Sequence, residues 1–141
     1  MLVDANLLLY AVDETSPHHE RSARWWTDAL NGERRVALPM QTIGAFLRII
    51  THPRILESPL SASDAWDHVK AWLASDPVWI PPTSARTARL LGELIGRYGV
   101  TGNLVPDAQL AALAIEHGLS LVSADTDFAR FTELRWENPI A

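Results

Sequence analysis

Two short apolar runs constrain this chain more than any other feature: Leu2-Val3 near its start and the "LSLVSAD" stretch ending at Asp125. Neither alternates polar with apolar residues, as a strand with one wet face does. Such strands belong in a parallel sheet covered on both faces. Both runs end at an aspartate, Asp4 in one and Asp125 in the other. Leu7-Leu8-Leu9 is equally apolar and reads as buried strand continuing into a covered segment.

Between these runs the pattern switches to helical spacing. In "TSPHHERSARWWTDALNG" Ser16 is the expected cap, Pro17 the first helical position and Gly32 the stop, with His19, Ala23, Trp26 and Leu30 on one stripe. "RVALP" is a short strand. "MQTIGAFLRIITHP" follows as a helix with its stripe at Ile43, Phe46, Leu47 and Ile50 and its stop at Pro53. Gln41, Ala45, Arg48 and His52 share a second face of it. "SASDAWDHVKAWLASDP" is a helix capped by Ser61, and "VWI" is a strand. "SARTARLLGELIGRYG" is amphipathic through Leu91, Leu94, Ile95 and Tyr98 and ends at Gly99. "VPDAQLAALAIEHG" leaves little room for a wet face and belongs at the centre, against the sheet. "LRW" adds an edge strand. No linker, repeat or low-complexity tract divides residues 1–141, so one domain is expected. Strands alternating with helices predict an α/β fold with a mostly parallel sheet.

With 48% hydrophobic residues among 141, the chain can bury a sizeable core. The absence of cysteine excludes disulfides, thiolate zinc sites and a thiol nucleophile, and suits a reducing cytoplasm. No run reaches the roughly 18 apolar residues of a membrane span, and no signal peptide is expected before a strand that begins at Leu2. A net charge of −5 argues against general nucleic-acid binding. Eleven of the twelve basic residues are arginine, however, and arginine contacts phosphate or carboxylate through two bonds at once.

In open parallel sheets, ligands bind beyond the carboxyl ends of the strands. Asp4 and Asp125 stand at such ends, and Asp107 lies in the first turn of the central helix after Pro106. Asp127 follows Asp125 by two residues. Carboxylates gathered at one rim repel each other and raise each other's pKa unless a cation joins them. A hard divalent ion, Mg²⁺ or Mn²⁺, prefers such oxygen ligands, activates water and clamps a phosphoryl oxygen. Asn6 is placed to orient a carboxylate or a bound water. Singly, each acid also fits a structural role: Asp4, Asp125 and Asp127 as turn formers, Asp107 as a cap or a complement to the helix dipole. His18 and His19 are adjacent on a helix, point about 100° apart and make a poor pair of metal ligands. Arg48 and Arg54 flank "THP" and are candidates for phosphate contact or for docking. No catalytic triad, phosphate-cradling glycine loop or zinc spacing is present.

The stretches "LVDANLLLYAVD", "FLRIITHPRI", "VPDAQLAALAIEHGLSLVSADTDFARF" and "LRWENPI" resemble PIN-domain proteins, and within them the VapC toxins of VapBC toxin–antitoxin pairs. The resemblance runs in order over nearly the whole chain and is most specific in "PDAQLAALAIEHG…SADTDFARF". It implies a three-layer α/β/α sandwich and a Mg²⁺- or Mn²⁺-dependent endoribonuclease that arrests growth. A VapB antitoxin would silence it, the toxin would form a homodimer, and contact with DNA would run through the antitoxin. By position, Asp4, Asp107 and Asp125 match family carboxylates, Asp127 an accessory aspartate, Asn6 the polar residue after the first acid, and Ser123 a frequent threonine. Ala45 stands where the family often has glutamate, three residues before Arg48. That departure keeps a second class open, a PIN fold that binds a partner without cutting. A third class, a phosphatase with Asp4 as nucleophile, would have its second aspartate at Asn6 and has only Lys70 to serve as its lysine.

Overall fold

The computed structural model describes all 141 residues. Five two-residue strands, β1 (Leu2–Val3), β2 (Val36–Ala37), β3 (Val78–Trp79), β4 (Leu121–Val122) and β5 (Trp136–Glu137), form one sheet in the order β3-β2-β1-β4-β5. Every pairing is parallel. The helices are α1 (Ala5–Val12), α2 (His19–Leu30), α3 (Met40–Ile50), α4 (Ala62–Leu73), α5 (Ala85–Tyr98) and α6 (Val105–Glu116), with 3-10 turns at Gly102–Leu104 and Thr126–Arg130.

Alternate strand residues point to opposite faces of the sheet and build two cores. Val3, Val36 and Val122 face a cluster with Leu7 and Leu8 of α1, Trp26 of α2, Phe46 of α3 and Trp72 of α4. Leu2, Ala37 and Leu121 face the other cluster, with Leu94 of α5, the apolar run of α6, Phe128 and Phe131. The result is the expected three-layer α/β/α sandwich. Ala108 and Leu110 through Ala114 are all buried, so α6 is the central helix its composition called for. Each fully buried leucine or phenylalanine contributes roughly 1.5–3 kcal/mol relative to exposure.

Local signals held where the chemistry was specific. The Ser61 side chain accepts from the Asp64 amide at the start of α4. Gly99 ends α5 at φ 61°, a left-handed backbone that disfavours a β-carbon. Pro106 sits in the first turn of α6, where no amide donor is needed.

Three expectations need correction. Leu7-Leu8-Leu9 is helix, not strand: α1 begins at Ala5, directly after Asp4 caps it. Three consecutive leucines carry no period, and the acid that ends β1 is also a helix start. The second helix begins at His19 rather than Pro17, because Ser16 is used in a tight turn in which its hydroxyl accepts from the His18 amide. That helix closes at Asn31, whose amide reaches the Ala29 carbonyl, before Gly32. On α5 only Leu94 of the expected stripe is buried, while Ile95 remains 38% exposed.

Candidate active site

The order of the strands brings the acids together. β1 and β4 are neighbours in register, Leu2 beside Leu121 and Val3 beside Val122, so the residues that follow them, Asp4 and Ser123, meet at the carboxyl edge. The Asp4 amide continues the ladder to the Val122 carbonyl at 3.0 Å. Asp4 Oδ1 accepts from the Ala5 amide at 2.8 Å and Oδ2 from the Ser123 hydroxyl at 2.7 Å. That hydroxyl is fully buried and saturated: it also accepts from Asn6 Nδ2 and from the Asp125 amide, both at 3.0 Å. Asn6 therefore acts on the acids through Ser123 and through the Ala124 amide, which reaches Asn6 Oδ1 at 3.4 Å, and not by touching a carboxylate itself.

Asp125 opens the 3-10 turn. Its Oδ1 accepts from the Asp127 amide at 2.9 Å, which folds Asp127 back beside it. Asp107, in the first turn of α6, completes a group of three. One carboxylate oxygen each from Asp107, Asp125 and Asp127 lies within 4.8 Å of the others. Asp4 stands outside this group, with both its oxygens engaged, whereas the sequence reading counted it among the metal ligands with Asp107, Asp125 and Asp127. Asp4 and Asp125 also cap the helix and the turn that follow them, the structural role their positions allow.

Electrostatics register the crowding. Burial pushes the Asp4 carboxyl above its usual range, against the Ser123 and Ala5 hydrogen bonds, and the Asp125 charge adds to the rise. Asp107 is pushed up to about 6 by burial and by the charges of Asp125, Asp4 and Asp127, with Arg130 pulling the other way. Three oxygen donors within one small sphere, with the proton affinity of Asp107 raised by burial and by its acidic neighbours, fit a hard divalent cation. The donor set contains no imidazole or thiolate that would favour a softer metal. His19 is committed elsewhere, with Nδ1 at 3.0 Å from the Tyr10 carbonyl, and His18 packs on the Tyr10 ring.

Arg48 lies exposed on α3, and the one basic residue acting on Asp107 is Arg130 instead. Arg130 also pairs with Asp127 at 3.5 Å. The sequence reading missed it, although the three-residue spacing in "DFAR" was its signal. Also missed was Thr42, whose buried hydroxyl donates to the Val3 carbonyl at 2.7 Å and fastens α3 to the strand end that carries Asp4. Ala45 is half-buried on the same helix. The largest cavity, about 450 Å³, is lined by none of the four acids; it opens instead beside Asp13, Glu14, His19 and His68.

Comparison with known proteins agrees with this geometry. A family model described as "PIN domain" matches residues 1–134. The chain is 43% identical over 140 residues to Ribonuclease VapC37 of Mycobacterium tuberculosis, covering 99% of this chain and 97% of that protein. It is 39% identical over 140 residues to Ribonuclease VapC33 of the same organism, covering 99% and 98%. Among solved structures, VapBC2 from Rickettsia felis, bound to a DNA fragment from its promoter, superposes with a TM-score of 0.71 at 19% identity, covering 97% of this chain and 96% of that one. Mycobacterium tuberculosis VapC20, described as a sarcin–ricin loop cleaving toxin, superposes at 0.69 with 18% identity, covering 95% and 98%. At these identities the structural likenesses establish the fold.

Proposed function

Because the chain belongs to the PIN-domain family, and within it to the VapC group, we propose that it is a divalent-metal-dependent endoribonuclease, the toxin of a toxin–antitoxin pair. The observation that carries this reading is the cluster of Asp107, Asp125 and Asp127 within 4.8 Å, at the rim where Asp4 also ends its strand. Relatives at 39–43% identity that are named ribonucleases support the reaction class.

Asp107, Asp125 and Asp127 would hold Mg²⁺ or Mn²⁺, with Asp4 beside them. The bound ion supplies Lewis acidity toward a phosphoryl oxygen and lowers the pKa of a water. Asp4, fixed by Ser123 and Ala5, orients water for attack on phosphorus and accepts its proton at a carboxylate oxygen. The bond from phosphorus to the 3′ oxygen breaks and that oxygen takes up a proton, leaving a 5′-phosphate and a 3′-hydroxyl. Arg48 and Arg130 are the candidate contacts for the phosphate backbone. Single-stranded or looped RNA is the substrate class, because its bases are open to reading.

A VapB-type antitoxin is the cognate partner in this reading. Solved structures of this fold include VapBC assemblies, among them VapBC-1 of nontypeable Haemophilus influenzae, and a toxin–antitoxin complex from Klebsiella pneumoniae. In this reading the chain acts in the cytoplasm as a homodimer and meets DNA only through the antitoxin. No helix is long and apolar enough to cross a membrane.

Ala45 favours one second reading, a partner-binding PIN fold that has lost cleavage. The test is incubation of antitoxin-free protein with structured RNAs, tRNAs included, in Mn²⁺, in Mg²⁺ and in chelator, beside Asp4→Asn. Discrete cuts that need metal and vanish in the variant are expected. Cuts that appear only after Ala45→Glu would mean an intact site short of one ligand. Absence of cuts in both proteins on a transcriptome-wide RNA pool would reject the ribonuclease.

A further inference from the structure

α5 and α6 lie antiparallel on one face of the sheet: Ser84 and Thr87 at the start of α5 bond Glu116 at the end of α6, while the first turn of α6 carries Asp107. Between the first half of α5, Gln109 of α6 and the start of α3 opens a cleft of about 150 Å³. Gln41, Thr83, Thr87, Ala88, Leu91 and Gln109 line it, and none of them is charged. The Thr87 hydroxyl is already committed, donating to Glu116 and accepting from the Ser84 amide. It fixes the wall and is not available to a ligand. Ala88 and Leu91 supply an apolar surface, and the exposed carboxamides of Gln41 and Gln109 stand at the mouth.

The position relates this cleft to the acids. Gln109 follows Asp107 by two residues on α6, which turns its side chain about 200° away, across the helix and toward α5. Gln41 follows β2, the neighbour of the strand that ends at Asp4. The cleft therefore lies about one helix diameter, roughly 10 Å, from the carboxylates. Pockets for drug-sized ligands run to about 300–1,000 Å³, so this one admits a single ring system. A phosphate would find no cation in it. A flat, neutral group with donors and acceptors along one edge fits both the apolar wall and the two amides.

We propose that the cleft between α3, α5 and α6 receives one unpaired nucleobase beside the scissile phosphate, with Gln41 and Gln109 reading its edge. This rests on the ribonuclease reading and gives that site a sequence preference. A carboxamide offers both donors and an acceptor, whereas a carboxylate only accepts. Gln109→Glu should therefore redirect the preference rather than merely weaken it.

The test uses the full chain in Mn²⁺ on hairpin RNAs with randomised loops, with the cut positions sequenced. Gln109→Glu is expected to shift the preference at one fixed position near the cut toward adenine and cytosine, which present an amine, by roughly tenfold over uracil. Gln41→Ala combined with Gln109→Ala is expected to flatten the preference at that same position. Continued cleavage with an unchanged preference overturns the proposal and leaves the ribonuclease standing. So does an unchanged preference accompanied by dissociation of a dimer on sedimentation, which would make the cleft a contact between two copies. If the wild-type chain cuts nothing, the ribonuclease reading fails separately, and binding decides the proposal. Side-chain amide NMR signals of Gln41 and Gln109 are followed in chelator with pentanucleotides of each single base. Base-selective perturbation supports the base site; no perturbation, or equal perturbation by all four, refutes it.

Discussion

Asp107→Asn should make the metal-free protein more stable and the metal-loaded protein less so. The Asp107 carboxyl is pushed from 3.8 to about 6, chiefly by burial and by the Asp125 and Asp4 charges. A change of that size corresponds to about 3 kcal/mol against the charged form. The side chain is only half-buried, so solvent screening reduces the effect to about 1–1.5 kcal/mol. The acid also complements the dipole at the start of α6, which favours it by about 0.3–1 kcal/mol. Repulsion wins, and the asparagine variant should gain about 0.5–1 kcal/mol at pH 7 in chelator, or roughly 2–4 °C in Tm. The sign of the pH dependence follows from the raised pKa. The folded state holds the proton more tightly, so the stability it provides is complete below 3.8 and is lost as pH rises through about 6. The gap between variant and wild type should open across that window and stay level above it. With Mn²⁺ at a hundred times its Kd, wild type gains about 2.7 kcal/mol and the order reverses. Urea unfolding at several pH values, with chelator and with Mn²⁺, reads all three effects. A gap that ignores pH between 4 and 7 would refute the crowding argument. Equal gains from Mn²⁺ in both proteins would refute Asp107 as a ligand.

Ser123→Ala strips a partner from Asp4, Asn6 and the Asp125 amide at once. It should cost about 1–3 kcal/mol in urea unfolding and lower Mn²⁺ affinity or cleavage by about 10–100-fold. Ala45→Glu returns a carboxylate to the α3 face and should lower the Kd for Mn²⁺ by at least about tenfold, the scale of one well-supported ligand contact; calorimetric titration showing no change would exclude that face from the site. Phe46→Ala empties a fully buried position between α3 and Trp72 and should cost about 3–5 kcal/mol in equilibrium unfolding.

What the sequence disclosed depended on how local each signal was. Ser61, Gly99 and Pro106 declared themselves because a cap, a left-handed turn and a helix start each need a particular side chain at a particular place. Leu7, Leu8 and Leu9 misled because three consecutive leucines carry no period that separates helix from strand. Asp4 and Asp125 were legible as strand ends, and the neighbouring of β1 and β4 turned two ends into one site. Asp127 was legible as a neighbour of Asp125, but that Asp4 stands apart from the other three was not. That arrangement depends on one hydrogen bond inside the "DTD" turn and on the Ser123 hydroxyl holding Asp4 to one side. Arg130 was overlooked because its role follows from the same turn.

The bond from Ser123 to Asp4 joins residues 119 positions apart in the chain. During synthesis Asp4 is made 119 residues before Ser123, and Asp125 and Asp127 come later still. At about 5–20 residues per second, roughly 6–24 s separate the two halves of the site. A ribosome that stalls or falls off before β4 releases a chain with Asp4, or at most Asp4 and Asp107, and without the turn that carries Asp125 and Asp127. The cluster of Asp107, Asp125 and Asp127 therefore forms only in a chain extended past Asp127.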